Sequence, residues 1–560
     1  MAAVSLRRSV HFSAAAIALS LQVPGWAATA ARAPATPPSD SDWIYRIQPG
    51  DTLIALTAAY LQPGHHWREL QRLNKVANPL RLPPGGALRM PLAWLAREAA
   101  VAEVFFVKGQ VLLRREGAAE QPLQMGMSLR SGDALQSASQ SSASLRFADG
   151  SRLLIPPDTV LTLEQLLVYG RSAIPAVQLR LQRGGADSQV RPNPGRLPLY
   201  EVRTPSANLG VRGTEFRVQV ADAAHTRMEV LQGAVGASAG KAQPELRVAA
   251  GQGLLAQPGQ ALHASPLPAA PSTAGLPALL ERVPLRLAWA GQAGASAWRA
   301  QVFAHHDVDR LLLDSLSPEP QVRWDELPDG DYTLRLRAVD AQGLEGLASD
   351  HDFRLKARPE PPLVQAPAAQ ARLYGERVEL RWTQNTAARA YRLQLAQDVG
   401  FTQLQQDLPA LSGASHTLSL PPGRYHWRLA ALAADAGVFG GEQGPFGDAQ
   451  QFELRPLPPA PPPAEPQLDG DHLQLRWGAQ AGVARYELQL ADDERFTLGL
   501  QTLNTEQAAI SLPRPAHGRH YLRLRGFDAD GQAGPWGQVQ LIEVPWPRWP
   551  WLLPLLLLLH

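Results

Sequence analysis

The stretch EVRTPSANLGVRGTEFRV, Glu201–Val218, decides how the central part of the chain is read. It sets a Thr-Pro pair, two glycines and a Val-Arg-Gly-Thr core between two runs in which apolar and polar residues alternate. A catalytic or anion-binding loop would employ Arg212, Thr214 and Glu215. A junction between strands would instead need Gly210 and Gly213 for backbone conformations closed to other residues. The flanks favour the junction, because EVR and EFRVQV carry the period-two pattern of strands. Arg212 and Glu215 are therefore expected to pair with each other or to be solvated at a strand end.

Outward from that stretch, residues 101–236 are short alternating runs separated by Gly, Asp and Pro, the pattern of an all-β domain. Gly132-Asp133 and Asp149-Gly150 read as turns, and Asp-Gly is a strong hairpin signal. The order GD, FADGS, TPSANLGVRGTEF and V-L-Q-GAV resembles the FecR domain, with VRGTEF its most specific element. Members of the regulator type in that family cross the inner membrane, control an alternative sigma factor and sense an outer-membrane transporter. Here a signal-like segment stands where the cytoplasmic part would be, so the resemblance implies an extracytoplasmic protein-interaction module.

The chain of 560 residues is long enough for several domains, and 53 Lys and Arg against 51 Asp and Glu leave it close to neutral. Nothing in that balance calls for nucleic acid as a partner. There is no cysteine, which excludes disulfide staples, thiol nucleophiles and cysteine-held metal centres. Arg7-Arg8, an apolar run from Phe12 to Val23 and Ala28-Thr29-Ala30 read as a secretory signal over residues 1–30, cleaved near Ala30 or Ala27. Residues 31–42 form a Pro/Ala/Ser linker. Pro-rich stretches near 257–284, 357–371 and 456–469 are expected to be extended spacers between beads.

The first bead, 43–92, reads strand, helix, helix, strand. WIYRI alternates, Asp51 is placed to cap a helix carrying Leu53, Leu56 and Tyr60, Trp67 and Leu70 mark a second, and ALRMP closes. The text YRIQPGDTLIALTAAY, with Trp67, Asn74 and NPLRLPPGG, resembles the LysM domain. That resemblance implies binding of N-acetylglucosamine polymers such as peptidoglycan in a shallow groove. Its walls would be Gly50, Asp51, Thr52 and Leu53 on one side and Asn78, Pro79, Leu80, Arg81 and Leu82 on the other.

From residue 284 the chain repeats, over 284–356, 376–455 and 470–545. Trp289, Trp382 and Trp477 are followed by Trp298, Tyr391 and Tyr486, and GDYTLRLRAVD, GRYHWRLAALA and GRHYLRLRGFD come later in each unit. Tyr332, Tyr425 and Tyr521 are read as equivalent, and all these aromatics as core. A period of about 95 residues with strand alternation and a buried Trp suits small β-sandwiches, and the units resemble fibronectin type III domains. The fold expected is multidomain and mainly β.

No catalytic constellation, metal site or cofactor motif emerges. Gly236–Gly240 spells the Gly-x-Ser-x-Gly pattern but is not followed by a helix. The adjacent pairs His65-His66 and His305-His306 would diverge on a strand. In the tail 546–560, rich in Trp and Leu, the apolar run Trp551–Leu559 is interrupted by Pro554 and reaches only about 14 Å as a helix, too short to span but suited to membrane-surface contact. The expected function is non-enzymatic: a periplasmic envelope protein held on peptidoglycan and presenting its other domains to unidentified envelope proteins. A periplasmic sensor acting through a membrane partner is the alternative, and a cell-wall hydrolase accessory the third.

Overall fold

The computed structural model describes residues 42–172, 174–192, 200–222, 225–239, 244–433 and 443–546. The stretch read as a signal segment, the linker up to residue 41 and the tail from 547 lie outside the described residues. The chain is multidomain and mainly β, and its two α-helices among the described residues are both short. No helix among them is long and apolar enough to cross a membrane. The described residues fall into two compact units, one from the stretches up to 276, 288–322 and 333–351, the other from 277–287, 323–332 and the stretch from 352 on.

In the first unit, strand Asp42–Arg46 pairs antiparallel with Ala87–Pro91, and helices Leu53–Tyr60 and Trp67–Asn74 come between them in sequence. Leu53, Leu56, Leu70, Leu88 and Met90 close the core. The helix cap is Thr52, not Asp51: its extended backbone places Oγ1 to accept from the Ala55 amide at 3.1 Å. Asp51 sits one residue too early for that role. Its carboxylate accepts instead from the Gln48 amide at 2.6 Å and the Tyr45 hydroxyl at 2.9 Å. Burial and this carboxylate push the Tyr45 phenol up to about 12, which keeps it a neutral donor.

The bead does not hang on a loose tether. The Ala96 amide donates to Tyr60 at 2.8 Å and the Gln62 amide to Trp94 at 2.7 Å. Strand Arg97–Ala99 then pairs with residues 167–169, and Ile174 and Tyr169, from the end of a hairpin in the following domain, complete the bead's own core.

That following domain is a closed β barrel whose strands run from Arg97–Ala99 to Ala264–Pro266, past residue 236. Its organiser is the strand Ile174–Gln189, which serves two sheets. Residues 177–180 pair parallel with Tyr200–Arg203, and 184–189 pair antiparallel with Glu215–Val220. The change of sheet falls at Gly184, where φ is +82° and a Cβ would lie 2.7 Å from the Asp158 carbonyl oxygen, so only glycine fits. Leu161, Leu179, Val202, Phe216, Val218, Met228 and Leu254 are among the side chains filling the interior.

Three sandwiches follow, with a five-stranded and a two-stranded sheet in the first, three and six strands in the second, three and four in the third. Trp382 and Tyr391 meet edge to face at 5.7 Å, as do Trp477 and Tyr486 at 5.3 Å. The Tyr332 and Tyr425 hydroxyls donate to the carbonyls of Pro328 at 2.6 Å and Pro421 at 2.7 Å, each four residues back. In the third repeat that place is held by His520, whose Nε2 donates to Ala516 at 2.7 Å, and not by Tyr521. A glycine stands two residues before each, at 330, 423 and 518, and marks them as equivalent positions.

The Pro-rich stretches are clamped onto the sandwiches that follow them. The Leu347 amide donates to Pro268 at 3.0 Å. The carbonyls of Pro268, Pro359 and Pro458 lie where a Cβ on Gly346, Gly444 and Gly534 would overlap them. A backbone segment without enough amides to form its own ladder is thus held by close approach to glycine. Gly444→Ala and Gly534→Ala, neither at a positive φ, should each lower unfolding free energy by about 1–3 kcal/mol. Denaturant unfolding of the two variants checks this, and midpoints equal to the parent would show that the proline contacts hold nothing.

Candidate functional site

On the first bead the structure brings the two expected walls together: the Leu53 amide donates to the Pro79 carbonyl at 2.8 Å. Gly50, with φ +90° and open space around it, Asn78, Arg81 and Leu80 are exposed, the last at 64 %. Asp51, Thr52 and Pro79 are half-buried. Leu53 and Leu82 are core residues, so they shape the rim without offering side chains to a ligand. Asn78 Oδ1 accepts from the Leu80 amide at 2.9 Å and fixes the second wall. Beside Asp51, Trp43, Tyr45 and Tyr60 form an aromatic cluster with ring centroids 5.2–5.5 Å apart.

The Glu201–Val218 stretch is a pair of strands followed by a change of sheet. Tyr200–Arg203 forms a hairpin with Asn208–Val211, closed by Thr204, whose amide and hydroxyl both donate to the Ala207 carbonyl at 2.9 Å. The chain then leaves that sheet and enters the other as Glu215–Val220. Gly213 makes the passage with φ +66°, and a Cβ there would lie 2.5 Å from Pro192 Cα. Arg212 is exposed and Glu215 half-buried at the strand start. The residues 236–238 of the Gly-x-Ser-x-Gly text lie within the strand Ala234–Ser238, and Gly240 lies outside the described residues. His305 and His306 do not diverge: they occupy a turn, with φ +55° at His306, which brings their rings to 3.7 Å.

The residue of this stretch with the most demanding surroundings is Arg217, 4 % exposed. Asp187, Arg217 and Glu229 are direct cross-strand neighbours on the outer face of the barrel sheet. Against them pack strand Ala297–Ala304 and residues 307–317, 333–339 and 345–351. Arg217 Nη2 donates to the carbonyls of Glu345 at 2.7 Å and Gly346 at 2.9 Å, and its Nε lies 3.5 Å from Glu229. The Glu345 amide donates to Glu229 Oε1 at 3.1 Å. Glu345 in turn accepts from Arg299 at 2.6 Å and Arg337 at 3.1 Å, and Asp314 accepts from Arg299 at 2.8 Å and Gln301 at 3.1 Å.

Burial pushes Glu229 up to about 7, against the pull of Arg217. Burial acts on Glu345 too, but Arg299, Arg337 and Arg217 together outweigh it and hold that carboxyl down at about 2. Asp187 is raised by burial. No nucleophile or bond-breaking pair is organised in this network. What it can do is fasten one sheet to the other with a fixed register.

Removing one partner strands the rest, so Arg217→Met should cost about 3–5 kcal/mol in denaturant unfolding. The acids have opposite signs with pH. Glu229, ordinarily near 4.5, keeps its proton in the fold up to about 7. Its stabilisation is complete below about pH 4.5 and is lost as pH rises through 7. Glu345, lowered to about 2, stabilises above about 4.5 and loses that contribution as pH falls through 2. Unfolding free energy measured from pH 4.5 to 7.5 should therefore decline in the parent and decline less in Glu229→Gln. An identical slope in both would assign the decline to other groups.

Among solved structures, the chain is similar to the chicken CNTN1 FN1-FN3 domains, at 15 % identity and TM-score 0.23, covering 50 % of this chain and 99 % of that one. It is also similar to the fibronectin(III)-like modules of Clostridium thermocellum CbhA, at 13 % identity and TM-score 0.21, covering 33 % and 94 %. No curated protein matches the chain. Residues 133–236, from the buried Asp133 turn into the strand Ala234–Ser238, match the family model described as FecR protein.

Proposed function

We propose that the chain is a non-enzymatic binding protein of the bacterial envelope, held on peptidoglycan by the first bead while the barrel and sandwiches present surfaces to other envelope proteins. The observation that carries this reading is the Leu53–Pro79 hydrogen bond, which aligns two turns with exposed backbone next to an aromatic cluster. Backbone polar groups at such turns suit the acetamido groups of a glycan, and small apolar side chains suit its ring faces. The weld between bead and barrel means that a glycan held there would fix the barrel's orientation as well as its location. The compartment is the periplasm, reached through the signal segment.

A second reading, a sensor that acts through a membrane partner, is favoured by the match of residues 133–236 to the FecR model, which points to an envelope signalling role. In that reading the bead positions the barrel, and the barrel receives the signal.

Because the bead shares its core with the barrel, deleting it would damage both, and a surface variant is the cleaner test. Leu80→Asp touches no core residue and should reduce retention of the full chain on purified peptidoglycan by roughly tenfold, about 1.4 kcal/mol. Retention equal to the parent in a sedimentation assay would sink the glycan reading.

A further inference from the structure

FADGS, Phe147–Ser151, and VRGTEF, Val211–Phe216, are far apart in sequence and meet at the end of the long barrel strand, around Val190–Pro192. The Val190 amide donates to the Thr214 carbonyl at 2.9 Å and the Arg191 amide to Ser151 Oγ at 3.0 Å. Gly213 admits Pro192. Gly150, with φ +82°, admits the Arg191 guanidinium, whose Cζ would lie 2.8 Å from a Cβ there. Between these elements runs a groove of about 480 Å³, lined in part by Arg146, Arg152, Gln189, Arg191, Thr214 and Glu215.

Three guanidiniums thus face one lining carboxylate. Arg152 is ion-paired to Asp309. Arg146 lies over the Phe105 ring at 5.0 Å, and among the described residues neither it nor Arg191 reaches a carboxylate. Two forked cations held at a groove of ligand size, one by stacking and one by a glycine made to receive it, match the bidentate geometry of carboxylates.

We propose that this groove binds a carboxylate-rich peptide segment. Gln189 and Gln232, which also lines the groove, can serve a peptide backbone as donors and acceptors. Glu215 can accept from a peptide amide but repels the denser charge of a phosphate, so the composition favours a peptide. The site is separate from the glycan-binding face of the first bead and does not depend on it.

The test is fluorescence anisotropy of a labelled tetraglutamate peptide titrated with the full chain, with tetraglutamine as the uncharged counterpart. Saturable binding of tetraglutamate alone is expected, and a roughly tenfold loss for the double variant Arg146→Ser with Arg191→Ser. The double lysine variant, which keeps the charges but not the forks, should fall between the two. Arg114→Ser, an exposed arginine paired with Glu120, should bind as the parent does. Thermal midpoints of each variant separate lost binding from lost folding. Equal binding of tetraglutamine, unchanged affinity in both double variants, or displacement by inorganic phosphate at a concentration where glutarate fails would overturn the proposal.

Discussion

The first unit depends on one constraint: Arg217, Glu229 and Glu345 have left water and must be satisfied by one another. Taking a charge out of water costs several kcal/mol, and mutual attraction repays this only where hydrogen bonds occupy the remaining lone pairs and protons. Arg217 meets that condition in part: Nη2 donates to two backbone carbonyls, which ties a barrel side chain to the backbone of another sheet, while Nε and Nη1 are buried without a hydrogen-bond partner among the described residues and rely on the charge of Glu229. Four acids, at 187, 229, 314 and 345, surround three arginines, at 217, 299 and 337. The acids outnumber the arginines by one, and burial raises two of them, Glu229 and Asp187, towards the neutral form.

The same row of residues recurs in the second and third sandwiches under different circumstances. Arg392 and Gln394 both donate to Asp407, at 2.8 and 3.0 Å, with the sequence spacings of Arg299 and Gln301 to Asp314. Arg428 then donates to Gln394 and lies between Phe401 and Phe446, at 4.1 and 4.3 Å from their centroids. In the third repeat Arg523 repeats this with Gln489, Phe496 and Trp536. There the arginines are half-buried and Arg428 and Arg523 are served by aromatic faces. In the first repeat the row is covered by the barrel sheet and becomes the buried network. One sheet pattern thus gives a partly solvated ladder or a fastening, according to what packs on it.

This explains what the sequence shows and what it conceals. Alternation identifies the strands Glu215–Val220 and Thr226–Gln232, because Phe216, Val218, Met228 and Val230 supply a regular apolar face. By the same rule Arg217 and Glu229 belong to solvent, and period-two patterning cannot report that a second sheet lies across that face. Only the register, which sets Arg217 opposite both Asp187 and Glu229, shows the trio, and register between distant strands is not written locally. The two turns of the first bead that the Leu53–Pro79 hydrogen bond joins were legible because both carry strong turn signals. The cap moved from Asp51 to Thr52 because adjacent residues of similar capping ability are separated only by backbone angles. The prolines looked like spacers because composition records the missing amides but not the glycines, many residues later, that receive their carbonyls.

The Glu201–Val218 stretch joins these levels in eighteen consecutive positions. Its glycine at 213 changes sheet and admits Pro192, which brings the strand end bearing Arg191 against the FADGS turn. Four residues later, Arg217 fastens the outer face of the strand that the crossing has begun. The crossing sets both the position of the groove and the register of the buried charges. A substitution at Gly213 would therefore act on the two together, whereas one at Arg217 leaves the groove's own backbone contacts, Val190 to Thr214 and Arg191 to Ser151, in place.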